Sequence, residues 1–207
     1  MLRIDASAGR EQTTELEGFV LYVEGPRDRE ILRVWARHSG PGLAQTVQNA
    51  SVILGGRQPV RAATHFQSLG GAGAGLRALC VLDRDGVEGD ELPREPGLEF
   101  FTWGRRHIES YLLVPEAIRR SLRLPRDDSR VERLLREHVP DHDEQSWRAL
   151  DAKRLLATRG PLSQELGTGL SPGRIARAMR AGELHEDVRD LFERLARRAK
   201  PASGRPT

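Results

Sequence analysis

Asp83-Arg84-Asp85-Gly86 follows without a break on the five apolar residues Ala78 to Leu82. A short continuous apolar run reads as a strand buried on both faces, as in a parallel sheet. In open sheets of that kind ligands collect beyond the carboxyl ends of the strands. Two carboxylates placed there repel each other, and a hard divalent cation relieves the repulsion; the blander reading is a strand closed by an Asp-Gly turn. Three further acids fall at comparable places. Glu24 closes the apolar run Phe19–Val23, Asp28 follows one helical turn later, and Glu109 comes shortly after the run Leu98–Trp103. Neighbouring parallel strands lie about 4.8 Å apart, so acids at their ends can share one or two ions. Oxygen ligands that hold a pair of Mg²⁺ or Mn²⁺ ions roughly 4 Å apart activate an attacking water and stabilise a leaving oxygen, which is phosphodiester chemistry.

The elements that must position these acids are legible in the apolar pattern. Phe19–Val23, Val52–Leu54, Ala78–Leu82 and Leu98–Trp103 read as strands, with helices predicted over Asp28–His38 and Pro59–Leu69 between them. Strands alternating with helices on short connections predict an α/β fold with a mostly parallel sheet. After Arg105 the pattern turns helical, with helices predicted at Pro115–Leu122, Ser129–His138, Glu144–Ala157, Ser171–Met179 and Asp187–Arg198. The division expected is a lead-in over 1–17, an α/β core over 18–114, a helical region over 115–200 and a disordered tail over 201–207.

Composition narrows the setting. The chain has 207 residues, 30% of them charged, and a net charge of +3, with arginine supplying nearly all the positive side. Lys153 and Lys200 are the two lysines. Arginine's planar fork suits phosphate, so a polyanionic partner is one reading of this bias, and genomic base composition is the other. Cys80 is the one cysteine, which excludes an internal disulfide and fits a reducing, cytoplasmic setting. No apolar run approaches membrane-spanning length.

Several tempting motifs carry less. The glycine-rich run Gly70–Gly75 lacks a following lysine and precedes a strand, so it reads as a flexible connection and not a phosphate loop. His138, Asp141, His142 and Asp143 have metal-like composition, but Pro140 keeps the two histidines off one helical face, and the segment reads as a polar loop. Trp35, Trp103 and Trp147 are expected to fill the core. Arg105 and Arg106 border the acidic ledge and are candidates for a DNA phosphate contact. Arg84 is expected to turn away from the two aspartates and pair with a neighbouring carboxylate.

Taken together, Val23-Glu24-Gly25-Pro26-Arg27-Asp28, the strand-ending Asp83-Arg84-Asp85-Gly86 and the later Glu109 resemble the TOPRIM domain of topoisomerases, bacterial primases and several nucleases. The segment Trp103–Pro115, with Arg105-Arg106-His107-Ile108-Glu109-Ser110-Tyr111-Leu112-Leu113 at its centre, is similar to a signature of the OLD (overcoming lysogenisation defect) nucleases. Trp147–Leu156 resembles the lysine-bearing helical segment of that group. The resemblance implies a TOPRIM fold and a metal-dependent endonuclease or nickase that hydrolyses DNA. It implies two divalent cations, Mg²⁺ or Mn²⁺, with Ca²⁺ as a substitute that binds without supporting cleavage. Glu24, Asp28, Asp83, Asp85 and Glu109 map onto the metal-binding acids, with Glu24 and Asp83 also counted as catalytic. Lys153 maps onto the lysine that stabilises charge on the phosphate in the transition state.

The family joins this module to an ABC-type ATPase, and no Walker A sequence occurs here, so the chain is expected to be a fragment of such a parent or a free-standing relative. A homodimer would let two sites cut both strands where one protomer would nick. Strand passage is not expected, because Tyr22 lies within a strand and Tyr111 within an apolar segment. One cysteine cannot build the usual zinc module of a primase. The competing reading is a catalytically silent regulatory or dimerisation module that binds nucleic acid or a partner ATPase, and a nuclease acting on structured RNA is the third.

Overall fold

The structure is a computed structural model and describes residues 18–84, 91–139 and 144–200. Its centre is a four-stranded, wholly parallel sheet in the order β2-β1-β3-β4. The strands are β1 (Phe19–Val23), β2 (Ser51–Ile53), β3 (Arg77–Leu82) and β4 (Leu98–Thr102). The chain steps from β1 outward to β2, returns past β1 to β3 and continues to β4 on the other side. The order therefore reverses between β1 and β3, and a crevice opens outside the carboxyl ends of strands at such a reversal. Glu24 and Asp83 are the residues that follow those two strands.

Alternation along the strands sends side chains to two separate cores. Phe19, Leu21, Val23, Leu79 and Val81 face the larger one, and Val20, Tyr22, Ala78, Cys80 and Leu82 face the smaller. The smaller face is covered by α3 (Pro59–Ser68) through Ala62, Ala63 and Phe66. The larger face is covered by α1 (Pro26–Trp35) and α2 (Leu43–Ala50), which contribute Ile31, Leu32, Val34, Trp35, Leu43 and Val47. Pro26 opens α1 in its first turn, where a missing N–H costs nothing, and Asp28 and Arg33 sit at the ends that the helix dipole favours.

The C-terminal half is helical: α4 (Pro115–Leu122), α5 (Arg130–His138), α6 (Glu144–Ala149), α7 (Ala152–Leu155), α8 (Pro161–Glu165), α9 (Pro172–Ala178) and α10 (Glu186–Ala199). These helices share the larger core, since Ile118, Leu135, Leu156, Ile175, Val188, Leu191 and Leu195 join the strand residues in one cluster. Ion pairs from Arg194 and Arg198 to Glu99 tie α10 to β4. Among the described residues no helix is long and apolar enough to cross a membrane.

The expected α/β class and parallel sheet are present, with local differences. Gly70–Gly75 is not a loose connection: it contains a 3₁₀ turn, Gly71–Ala74. Gly97 closes the space beneath that turn with φ +85, and a Cβ there would sit 3.0 Å from the Leu76 carbonyl and 3.2 Å from the Phe66 ring. The helix predicted from Glu144 to Ala157 is two, because Leu150 and Asp151 leave the helical conformation and the Asp151 carboxylate accepts the Arg154 N–H to start α7. α2 and α8 were not anticipated; both are short and follow glycine-containing turns. The predicted lead-in 1–17, the tail 201–207 and the segments holding Asp85, Gly86, Asp141, His142 and Asp143 lie outside the described residues.

Trp35 and Trp103 are 0% and 1% exposed, whereas Trp147 only packs against the edge of the core. Trp103 meets Phe101 edge-on at 5.1 Å and Tyr111 at 5.0 Å, so it joins the end of β4 to the segment carrying Glu109. Replacing Trp103 with Ala should cost about 3–5 kcal/mol of folding free energy, read from the midpoint of urea unfolding. A loss under about 1 kcal/mol would show that this junction is not part of the cooperative core.

Candidate metal centre

The acids converge on the crevice between β1 and β3. The Glu24 carbonyl accepts the N–H groups of Gly55 and Gly56 at 2.9 and 3.0 Å, which holds the end of β1 against the turn after β2. Its carboxylate crosses to the neighbouring strand, where Oε1 accepts the Asp83 N–H at 2.7 Å. Asp28 reaches the same place from the first turn of α1. Asp83 is 3% exposed and is held on three sides. Oδ1 accepts the Ile108 N–H at 3.0 Å, Oδ2 accepts Lys153 Nζ at 2.5 Å, and the main-chain carbonyl accepts Arg57 Nη1 at 2.5 Å.

Glu109 lies in a 3₁₀ turn, Ile108–Leu112, and is 1% exposed. Its Oε1 is 3.6 Å from Arg27 Nη1, while Oε2 is buried with no hydrogen-bond partner among the described residues. Asp28, Asp83 and Glu109 each offer one carboxylate oxygen, and the three oxygens lie within 4.8 Å of one another. A buried, partnerless carboxylate oxygen is costly unless something positive meets it. Three converging carboxylates are the hard-oxygen donor set of Mg²⁺, Mn²⁺ or Ca²⁺, so these residues can hold a divalent ion.

The electrostatics agree with the geometry. Burial first, and then the charge of Asp83, push the Asp28 carboxyl up to about 6. Burial pushes Glu109 up to about 7, assisted by the charges of Asp28 and Asp83 and opposed by Lys153. Burial works against the charge on Lys153, but the hydrogen bond to Asp83 and the surrounding carboxylates prevail and hold its ammonium above its ordinary range. Lys153 is thus the cation that neutralises Asp83, with 41% of its side chain still open to solvent.

The expected site residues are partly gathered. Glu24, Asp28, Asp83, Glu109 and Lys153 all meet at the crevice, although Glu24 spends one oxygen on the Asp83 N–H. Asp85 lies outside the described residues. Arg84 departs from expectation. Its Nε donates to the main-chain carbonyls of Trp103 and Gly104 at 3.2 and 3.0 Å, so among the described residues its bonds go to the end of β4 and not to a carboxylate. Carbonyls left free where a strand stops need donors, and Arg84 supplies them.

Arg105 and Arg106 are structural ties. The Arg105 guanidinium stacks 3.8 Å from the Trp147 ring centre and 5.3 Å from that of Tyr111, and Arg106 Nη1 donates to the Ala149 carbonyl at 3.2 Å. Both join the Glu109 segment to α6, the helix just before Lys153. Tyr111 adds a third tie: its hydroxyl accepts the Arg105 N–H at 3.0 Å and donates to Asp187 in α10. His138 pairs with Glu165 at 2.6 Å. Sequence reasoning passed over Arg27 and Arg57, the two guanidinia beside the acids. The signal available was position alone, Arg57 directly after the glycines that end β2 and Arg27 beside Asp28.

No protein-family model, curated protein or solved structure matches the chain.

Two outcomes follow from this geometry. Asp28 and Glu109 titrate at about 6 and about 7 in the folded chain, against 3.8 and 4.5 for the free groups. The folded state therefore binds more protons than the unfolded state across that window, so these groups favour folding at low pH and lose that contribution as pH rises through 6–7. Divalent ion should raise Tm more at pH 8 than at pH 5, by about 5–10 °C at a hundredfold excess over Kd. Equal shifts at both pH values would count against carboxylate ligation. Separately, Trp147→Ala should lower the hydrogen-exchange protection of α6 and α7 while leaving that of β1 and β3 intact; unchanged protection of α6 and α7 would show that the Arg105 stack does not hold them.

Proposed function

We propose that this chain is a metal-dependent nuclease that hydrolyses DNA phosphodiester bonds, a TOPRIM-type module of the OLD class. The observation that carries the reading is the meeting of Asp28, Asp83 and the buried Glu109 within 4.8 Å, with Lys153 bonded to the same Asp83. The all-parallel sheet, with acids at the ends of its two central strands, supports it. A Mg²⁺ or Mn²⁺ ion bound there would lower the pKa of a water molecule and neutralise charge on the phosphate. Asp28, Asp83 and Glu109 are the residues that would hold one ion; the resemblance adds Glu24 and Asp85 to the metal-binding acids.

The chain's own groups fit the rest of such a reaction. Lys153 brings a half-exposed ammonium to the edge of the acids, where it can stabilise charge developing on a phosphoryl oxygen. Arg27, 60% exposed beside Glu109, offers a second positive contact to the substrate side. Arg57 holds the main chain of Asp83, and so fixes the direction in which its carboxylate points. Glu24 does the same through the Asp83 N–H.

Incubation of supercoiled plasmid with the chain and Mg²⁺ or Mn²⁺ tests the reading. The parent should nick or linearise the plasmid, EDTA should abolish cutting, and Asp83→Asn, Glu109→Gln or Lys153→Ala should slow it by about 10²-fold or more. Calorimetry should show Mn²⁺ binding lost in Glu109→Gln. A parent that leaves DNA intact but cuts a structured RNA would change the substrate. A parent that binds no divalent ion would favour a silent regulatory module.

A further inference from the structure

The turn that holds Lys153 also borders a cleft. α7 packs against both the Ile108–Leu112 turn, which carries Glu109, and α8. Lys153 points from α7 to the acids, and the next residue, Arg154, lines a cleft of about 380 Å³ formed with Arg159, Gly160 and Gln164. Its wall is fixed. A Cβ on Gly160 would lie 2.2 Å from the Arg154 carbonyl and 2.8 Å from that of Leu155, so only glycine lets α8 start this close to α7. Ser163, 3% exposed, donates to the Ala157 carbonyl at 2.8 Å and accepts the Leu170 N–H at 3.1 Å. The Gln164 amide is held on the Arg159 carbonyl at 2.9 Å.

Charge in the cleft is one-sided. Glu165, its one acid among the described residues, is engaged by His138 at 2.6 Å. The Arg154 and Arg159 side chains make no ion pair or hydrogen bond among the described residues, and both residues are exposed. Most described arginines near the acids are committed: Arg57, Arg84 and Arg106 to carbonyls, Arg105 to Trp147. Two uncommitted planar guanidinia on a rigid wall suit the oxygens of a phosphate, which accept paired N–H donors.

We infer that the Arg154–Arg159 cleft binds a backbone phosphate of the same nucleic-acid strand that reaches the acidic centre. The inference rests on the nuclease reading for the direction of the strand. Lys153, bonded to Asp83, and Arg154, lining the cleft, are consecutive residues of the single helical turn α7, so a strand held by one lies within reach of the other. Arg154 and Arg159 thereby fix the register of the substrate and take no part in the chemistry.

Anisotropy of a labelled DNA oligonucleotide, titrated in EDTA so that none is cut, tests this. Arg154→Ala/Arg159→Ala should weaken binding about tenfold and lower the slope of log K against log salt by about 1, since one phosphate contact contributes about 0.9. Arg159→Lys, which keeps the charge, should recover part of the affinity. The double variant should keep the parent's Tm and its calorimetric Mn²⁺ binding. Arg189→Ala/Arg197→Ala, an equal loss of charge on the exposed side of α10, should leave affinity and slope near the parent's. Equal losses in the two double variants, or no loss in the cleft variant, would overturn the inference. So would inorganic phosphate at millimolar concentration that displaces the oligonucleotide from the parent as well as unlabelled DNA does, since the cleft would then be a small-anion site. A parent that binds DNA through the cleft but binds no Mn²⁺ and cuts nothing would sink the nuclease reading and leave the cleft standing. A parent that cuts while its cleft variant binds DNA unchanged would do the reverse.

Discussion

Asp83 is the point on which four segments of this chain are hung. Its N–H goes to Glu24 at the end of β1, its carbonyl to Arg57 beyond β2, and its two carboxylate oxygens to the Ile108 N–H and to Lys153. A carboxylate that is 3% exposed must have its charge answered. A main-chain N–H and an ammonium from two remote segments do so here. This mutual dependence is what turns a strand-end aspartate into a centre, because each segment is placed by the same group whose charge it satisfies.

The helical half is the frame that makes this convergence stable. Its apolar residues share one core with the sheet, so the segment bearing Lys153 is packed and not appended. Short ties then set its position: Arg105 on Trp147, Arg106 on the Ala149 carbonyl, Asp151 capping α7. The last is a side chain accepting the N–H three residues on, the usual way a helix start is satisfied. Tyr111, hydrogen-bonded to Asp187 of α10, links the Glu109 turn to the far end of the same frame. Rigidity at this level matters for any ion site, since ligand oxygens must be held close together against their own repulsion.

Burial, more than that repulsion, sets the protonation of the site. Burial and mutual charge raise Asp28 and Glu109 toward neutrality, while Lys153 is held charged by the same neighbours. Groups whose environments push their protonation apart mark functional centres more often than structural ones. Glu109, almost wholly buried with one oxygen unpartnered among the described residues, is the clearest instance, because a purely structural glutamate at that depth would be expected to find a donor.

The amino-acid sequence by itself determined the strands, the parallel class and the acids at the strand ends, because apolar runs and carboxylates that follow them are local features. It located Glu24, Asp28, Asp83 and Glu109 as candidates, and Lys153 through resemblance. Tertiary structure alone decided which oxygens come within reach of one another, and that Glu24 supports the Asp83 N–H. It also decided that Arg105 stacks on Trp147 and that Arg106 bonds the Ala149 carbonyl, tying the helical half to the Glu109 segment. An arginine beside acids in sequence looks the same whether it meets a phosphate, an indole or a carbonyl, and only packing distinguishes these partners. The break at Leu150-Asp151 was hidden for a similar reason: apolar spacing persists across it, while the cap that ends one helix and starts the next is a hydrogen bond. Strand ends are written in composition; what meets beyond them is written in the distances that folding sets.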